Sequence, residues 1–357
     1  YKNDGKIEKS IEEQLSLDDT ILLFLKSVSD IEIEIKEDNA QTIKKRIHKE
    51  VLPQTEIKYD NDIIFQKILL GNEEWNLLSR FGLFPKEYQV TEEDELDSFS
   101  SIIAWQDDLN KENSYPLCCY FPTQIKINLP FIIHGNFEVN AARNLLVSEV
   151  TSISKNYFLF SSILMLIDKA IEIEQKKSKI SNWNSYKILH TTTDNTNGLK
   201  LLIDGLNNRI NTLAIYPSIS KNLYLSKDEY IFYSDEISNF FEKKYTTEFV
   251  QMIKSPKELY IEKKIYAPEV FIEKINNINY ERSTEISDRG DLIKYLYNFT
   301  VNNKYIDWAG DNKLNLLINQ NFEPIGKEKT AYINSENPNI VISSEISFLK
   351  KSKQQSE

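Results

Sequence analysis

The amino-acid sequence predicts an α+β fold in which a mixed β-sheet with packed helices precedes a mostly helical second domain. Ile31, Ile33 and Ile35 alternate with charged residues, the two-residue period of a strand with one solvated face. After Arg143 the apolar residues recur at three- and four-residue steps, which predicts one long helix over residues 144–176. Lysines in its last turn suit the negative end of the helix dipole.

Three apolar stretches indicate further strands of the sheet, at Ile102–Trp105, Leu117–Pro122 and Leu129–Phe137. Residues 40–52 are basic and are interpreted as the solvated face of a helix or strand. The chain therefore offers enough strands for a sheet before the long helix begins.

The change of period and a stretch rich in Asn, Ser and Thr suggest the domain organisation. The predicted order is a polar segment (1–17), a sheet domain (18–180), a linker (181–198), a mostly helical domain (199–349) and a mobile tail (350–357). Helices are predicted in the second domain at residues 199–211, 235–244, 247–254, 269–276 and 291–298. Two strand–turn–strand elements are predicted there, around residues 215–233 and 316–333.

Composition excludes several classes of protein. The 357 residues carry a formal net charge of −11, which argues against a general nucleic-acid surface. The longest nearly apolar run, Tyr157 to Ile167, is well short of the ~20 residues that span a bilayer. Only nine glycines occur, and neither a P-loop nor a G-x-G-x-x-G motif is present, which argues against a glycine-rich nucleotide loop in this chain.

The cysteines and histidines give no catalytic or metal-binding pattern. Cys118 and Cys119 are adjacent in an apolar run and are interpreted as buried reduced thiols. His134 lies in an apolar strand and is interpreted as an interior or strand-end histidine. No pair among the three histidines has the spacing of metal ligands. No metal site is therefore predicted.

One segment carries a denser pattern than the rest of the chain. It contains Tyr120-Phe121-Pro122-Thr123, then Pro130-Phe131-Ile132-Ile133-His134-Gly135-Asn136-Phe137, and then Arg143. An arginine at a helix N-terminus is disfavoured by the helix dipole. Arg143 is therefore expected either to form an ion pair with Glu138 or Glu149, or to be available to bind an anion.

This segment resembles the middle, or transducer, segment of Hsp90-type ATPases, and more closely that of sacsin-like and bacterial Hsp90-like proteins. Those proteins carry a Phe-Phe-Pro-Thr … Pro-Phe-x-Ile-x-x-x-Phe … Arg pattern. The resemblance covers residues 18–175, and it implies a sheet of the ribosomal-S5-like transducer type. It places Arg143 as the residue that reaches the γ-phosphate of ATP, whose transferring phosphoryl group a guanidinium stabilises.

The resemblance also implies what lies outside this segment. ATP and Mg²⁺ would be bound by a domain preceding Tyr1, and this chain alone would neither bind nor hydrolyse ATP. Protein clients or partners in a phage-defence system, a dimer, a bacterial source and a cytoplasmic location are further implications. The sequence departs from the Hsp90 pattern at Ala142, Asn144 and Val147, where Ser, Glu and the nucleotide-contacting Gln are usual.

A second class of function stays open beside the first. In it the chain is a stand-alone binding or scaffold module, chaperone-like or part of a defence system, with no catalytic role. Arg143 would then form only a structural ion pair. The surroundings of Arg143 in the folded chain distinguish the two classes.

Overall fold

The computed structural model describes a little over half of the chain, which forms two compact units. The described residues are 19–25, 27–35, 43–60, 62–88, 97–109, 115–147, 154–177, 182–190, 198–220, 223–232, 235–244, 249–254, 261–262, 332–333 and 348–349. The first unit, called the sheet unit below, comprises Tyr1–Tyr216 and Tyr224–Asp228. The second comprises Pro217–Leu223 and Glu229–Glu357.

The sheet unit is built on a mixed sheet of nine strands, which confirms the α+β prediction. The strands are β1 (Asp30–Ile35), β2 (Ile43–Val51), β3 (Ile57–Lys58), β4 (Ile63–Leu70), β5 (Glu73–Leu83), β6 (Ser98–Trp105), β7 (Tyr115–Cys119), β8 (Phe121–Ile127) and β9 (Ile132–Gly135). Their order is β1-β2-β4-β5-β6-β9-β7-β8, and β3 pairs with β4. Only the pairing of β7 with β9 is parallel among these strands.

Charge and turn chemistry explain the register of the first strands. Glu32 lies opposite Arg46 in the antiparallel pair of β1 and β2, and this places opposite charges side by side across the ladder. β4 and β5 form a hairpin whose turn contains Gly71 at φ +60°, a conformation that glycine adopts without strain. The alternation that predicted β1 is therefore confirmed.

Both faces of the sheet are covered. A 3-10 helix, Asp19–Phe24, buries its last four residues against one face, together with Trp75, Ile102 and Ile132. Helix α1 (Lys155–Lys177) packs on β5 and β6, where Trp105 Nε1 donates a hydrogen bond to Oε1 of the buried Glu174 at 2.9 Å. The core of this unit thus lies in two layers, one on each side of the sheet.

The predicted start of the long helix is wrong. Helix α1 begins at Lys155 instead of residue 144, and the Ser154 hydroxyl caps it by accepting a hydrogen bond from the Tyr157 N–H at 3.1 Å. Residues 139–147 form a short hairpin in which Val139 and Leu146 pair as an antiparallel bridge. Leu145 and Leu146 fit the helical period by spacing alone, but the Leu145 carbonyl accepts a hydrogen bond from the Asn140 N–H across this hairpin and Leu146 pairs with Val139.

Two further helices pack against α1. Helix α2 (Asn184–Leu189) lies inside the segment predicted as a linker, and helix α3 (Lys200–Thr212) matches the helix predicted at 199–211. Asp168 and Arg209 join α1 to α3 by two hydrogen bonds of 2.6 and 2.8 Å. Two short strands, β10 (Tyr216–Pro217) and β11 (Tyr224–Leu225), follow.

The second unit is described only in part. Helix α4 (Asp235–Lys244) matches its prediction, and the Phe241 ring packs at a tilt against that of Phe249 with centroids 4.1 Å apart. The helix predicted at 247–254 is wrong for residues 249–254, where Met252 and Ile253 form isolated β-bridges. Strands β12 (Tyr332–Ile333) and β13 (Phe348–Leu349) pair in parallel.

The remaining predictions lie outside the described residues. These are the segments 1–17 and 350–357, the helices at 269–276 and 291–298 and most of the 316–333 element. Among the helices in the described part of the chain, none has the length and apolar character needed to cross a membrane.

Candidate functional site

Arg143 lies at the tip of the hairpin formed by residues 139–147. The Asn140 side chain organises this tip, because its Oδ1 accepts hydrogen bonds from the backbone N–H groups of Asn144 (3.1 Å) and Leu145 (3.3 Å). Arg143 itself has φ +56°, the left-handed conformation that a tight loop needs. The dipole argument made for a helix N-terminus therefore does not apply to it.

The guanidinium of Arg143 is bound to backbone carbonyl groups. Its Nη2 donates to the oxygen of Cys119 at 2.6 Å and to that of Phe121 at 2.8 Å. Glu138, one of the acids predicted to pair with it, is exposed and forms no ion pair with it, and Glu149 lies outside the described residues. The structure thus joins Arg143 to the Tyr-Phe-Pro-Thr motif through the main chain.

The two carbonyls flank a tight turn between β7 and β8. Tyr120 occupies this turn at φ +59°, and Cys119 pairs with Phe121 around it. A tyrosine in the left-handed region is uncommon and needs surrounding contacts to hold it. The hydrogen bonds from Arg143 supply two of those contacts.

His134 supplies another contact to the same turn. Its Nε2 accepts a hydrogen bond from the Tyr120 N–H at 3.2 Å, and the Tyr120 ring lies edge-on to the imidazole with centroids 5.8 Å apart. Phe24 stacks on the imidazole with centroids 4.6 Å apart. His134 is only 2% exposed, as predicted for an interior histidine.

Burial decides the protonation of His134. It lowers the pKa of the imidazole from 6.5 to about 4, so the ring is neutral at pH 7. Because Nε2 accepts a hydrogen bond, the one proton of the neutral ring is assigned to Nδ1. Nδ1 is buried and has no hydrogen-bond partner within the described chain. Nε of Arg143 is likewise buried without a partner in the described chain, so the site contains two unused buried donors.

A cavity of about 550 Å³ opens beside His134, on the sheet face that carries the 3-10 helix. It is lined by aromatic and aliphatic side chains and by uncharged polar groups: Phe24, Leu25, Phe81, Gly82, Leu83, Ser98, Phe99, Ser100, Tyr120, His134 and Asn136. The two polar ends of the Asn136 amide are already used, since Oδ1 accepts from Ser100 N–H and Nδ2 donates to Ser98 carbonyl, both at 2.8 Å.

The described residues give no evidence for a reactive thiol or for a metal site. Cys119 is buried, as predicted, and burial raises the pKa of its thiol, with the charge of Arg143 acting in the opposite direction. A thiol held in its protonated form is a poor nucleophile. Nowhere among the described residues do three His, Cys, Asp or Glu side chains form a group that could hold a metal.

Sequence reasoning identified Arg143 and the Tyr-Phe-Pro-Thr motif but missed the cavity. Phe24, Phe81 and His134 come from three elements that are distant in the sequence, so no spacing links them. The only available signal was an aromatic motif next to a strand histidine. Comparison of the chain with known protein families, with curated proteins and with solved structures gives no match.

Proposed function

We propose that the sheet unit is a binding module and that the cavity beside His134 is its ligand site. The observation that carries this proposal is a cavity of about 550 Å³ whose wall combines aromatic rings with serine hydroxyls and the Asn136 amide. Burial of a ligand's apolar surface against such a wall contributes roughly 25 cal/mol per Å².

The residues that line the cavity favour ligand binding over catalysis. The lining side chains among the described residues include no carboxylate, thiol or amine, the groups that most often act as nucleophile or general base beside histidine. The cavity volume lies within the range of roughly 300–1,000 Å³ that is typical of small-molecule sites. On this reading Arg143 is structural, since its Nη2 holds the turn that carries Tyr120.

A fragment screen followed by NMR tests the proposal. Ligands should shift the amide signals of Tyr120 and His134, and Ser100→Phe, which places a ring in the cavity, should abolish these shifts. Asn207→Phe is the control, because Asn207 is exposed on α3. The proposal fails if no fragment shifts these signals, or if the Ser100→Phe protein is folded and still binds at this site.

A second candidate is the role suggested by the resemblance to Hsp90-type ATPases. This chain would be the transducer segment, with a ribosomal-S5-like sheet, and would couple ATP and Mg²⁺ in a preceding domain to conformational change. The observation that favours it is the position of Arg143 at a hairpin tip, where only Nη2 is used in the two carbonyl hydrogen bonds. A guanidinium has five N–H donors, so it retains some for a phosphate.

ATP turnover by the longer protein tests this second candidate. An arginine that stabilises the transferring phosphoryl group is worth about 10³–10⁵ in rate, so Arg143→Ala should reduce turnover by a large factor. Lys126→Ala is a matched control, since Lys126 is an exposed cation on β8. An unchanged rate in a folded Arg143→Ala protein would remove Arg143 from any such mechanism.

A further inference from the structure

We infer that the cavity beside His134 takes an uncharged aromatic small molecule that carries a hydrogen-bond acceptor. This inference rests on the proposed binding function and names the class of ligand. It follows from three properties of the lining: its aromatic rings, its lack of formal charge and its hydroxyl donors.

Aromatic rings dominate the cavity wall. The rings of Phe24, Phe81 and Tyr120 line it, and Phe24 already stacks on the imidazole of His134 at 4.6 Å. Planar rings gain contact area against such walls, and ring pairs in stacked or edge-on geometry contribute about 0.5–1.5 kcal/mol beyond burial. The wall therefore favours a planar ligand over an aliphatic one of similar size.

No described residue that lines the cavity carries a counter-charge for an ion. The polar lining residues are Ser98, Ser100, Asn136 and His134, and the imidazole is neutral at pH 7. Transferring an ionised group into a site without an opposite charge is strongly unfavourable. Carboxylates and amines of the same size as a neutral ligand should therefore bind more weakly.

The hydroxyl donors of the wall specify an acceptor on the ligand. His134 Nδ1 is fully buried, so a ligand in the cavity does not reach it. Ser98 and Ser100 contribute their hydroxyl donors to the wall. A ketone, amide or ring-nitrogen acceptor would pair with one of these donors, whereas a pure hydrocarbon would leave them unpaired.

Four probes of similar size test the ligand class: acetophenone, ethylbenzene, benzoate and benzylamine. Chemical-shift titration at pH 7 should give an affinity for acetophenone at least about fivefold above that for ethylbenzene, as expected for one added hydrogen bond. Benzoate and benzylamine should bind at least about tenfold more weakly than acetophenone.

Two variants locate the acceptor contact. Ser100→Ala should remove the preference for acetophenone over ethylbenzene while ethylbenzene still binds, and Ser98→Ala tests the other hydroxyl of the wall in the same way. A preference that survives in both folded variants overturns the inference. If benzoate or benzylamine binds as tightly as acetophenone or more tightly, the inferred ligand class is wrong, but the proposed binding site stands. If none of the four probes binds and the fragment screen is also negative, both the ligand class and the binding site are rejected.

Discussion

Arg143 Nη2 lies 2.6 Å from the backbone carbonyl oxygen of Cys119. This contact and the one to Phe121 join the tip of the 139–147 hairpin to the turn at Tyr120. The Gln124 N–H reinforces the connection by donating to the Arg143 carbonyl oxygen at 2.8 Å. The arginine thus stabilises two tight loops at once, each of which contains a residue with positive φ.

Replacement of Arg143 should destabilise the sheet unit. Arg143→Ala removes two charge-assisted hydrogen bonds, and we expect the free energy of unfolding to fall by about 2 kcal/mol. Arg143→Lys should lose less, because an ammonium can still donate to one carbonyl. Urea unfolding followed by circular dichroism measures both changes.

Lys126→Ala is the control for the loss of a cation at the surface, and it should change the free energy of unfolding by less than about 0.5 kcal/mol. If Arg143→Ala is no more destabilising than Lys126→Ala, the hydrogen bonds from Arg143 to the Tyr120 turn contribute nothing measurable to the free energy of unfolding.

The buried imidazole of His134 should make stability depend on pH. Its pKa is about 4 in the folded chain and 6.5 in the unfolded one, so the unfolded state binds more protons between these values. The contribution of His134 to the free energy of unfolding is therefore complete above about pH 6.5. It is lost as the pH falls towards 4, by about 3 kcal/mol in total.

His134→Phe isolates this contribution from those of other groups. Urea midpoints measured from pH 7.5 to 4 should fall more steeply for the native chain than for the variant. Asp30, whose pKa is lowered to about 2 by its hydrogen bonds to Arg46, His48 and Ser29, contributes below this window. Parallel pH curves for the two proteins would show that His134 is not buried in its neutral form.

Glu174 should be among the most sensitive charged residues of α1. It is 1% exposed, and its carboxylate accepts hydrogen bonds from Trp105 Nε1 (2.9 Å), Lys177 Nζ (2.6 Å) and Asn184 Nδ2 (2.9 Å). Glu174→Ala leaves the indole N–H unpaired and weakens a buried ion pair, so we expect a loss of about 3 kcal/mol.

Glu172→Ala tests whether this loss is specific. Glu172 lies on the same helix and pairs with Lys169 at 2.7 Å, but it is half exposed. Exposed ion pairs contribute about 0–1 kcal/mol, so its removal should change thermal stability little. Similar effects of the two alanine substitutions would mean that the Glu174 network adds no more than a surface pair.

Gly205 should resist substitution although it lies within a helix. A Cβ atom there would lie 2.5 Å from Leu164 Cδ1, because α3 approaches α1 closely at this point. Alanine is favoured over glycine in a helix by about 1 kcal/mol, but overpacking costs about 1–3 kcal/mol. We expect Gly205→Ala to lower the melting temperature.

A double-mutant cycle distinguishes steric conflict from other causes. The destabilisation by Gly205→Ala should shrink in a Leu164→Ala background, where the space for the new methyl group is available. Asn207→Ala, at an exposed position of α3, should be neutral or slightly stabilising. An effect of Gly205→Ala that is unchanged by Leu164→Ala would contradict the steric explanation.

Sequence patterns were reliable where local chemistry decides the structure. The alternation of isoleucine and glutamate predicted β1, and the helical periods at 199–211 and 235–244 predicted α3 and α4. The helix at 144–176 failed at its start, because the apolar spacing of Leu145 and Leu146 suits a helix as well as a hairpin. Ser154 marked the true start, since a serine before the helix satisfies a free N–H group.

The sequence by itself determined the α+β class, the position of several strands and the apolar setting of Cys118, Cys119 and His134. Only the tertiary structure decided what Arg143 touches and which rings surround His134. The reason is that strand pairing joins residues far apart in the chain, through backbone groups that every residue shares. No residue type or spacing in the sequence records that the Cys119 carbonyl accepts a hydrogen bond from Arg143, or that Phe24 stacks on His134.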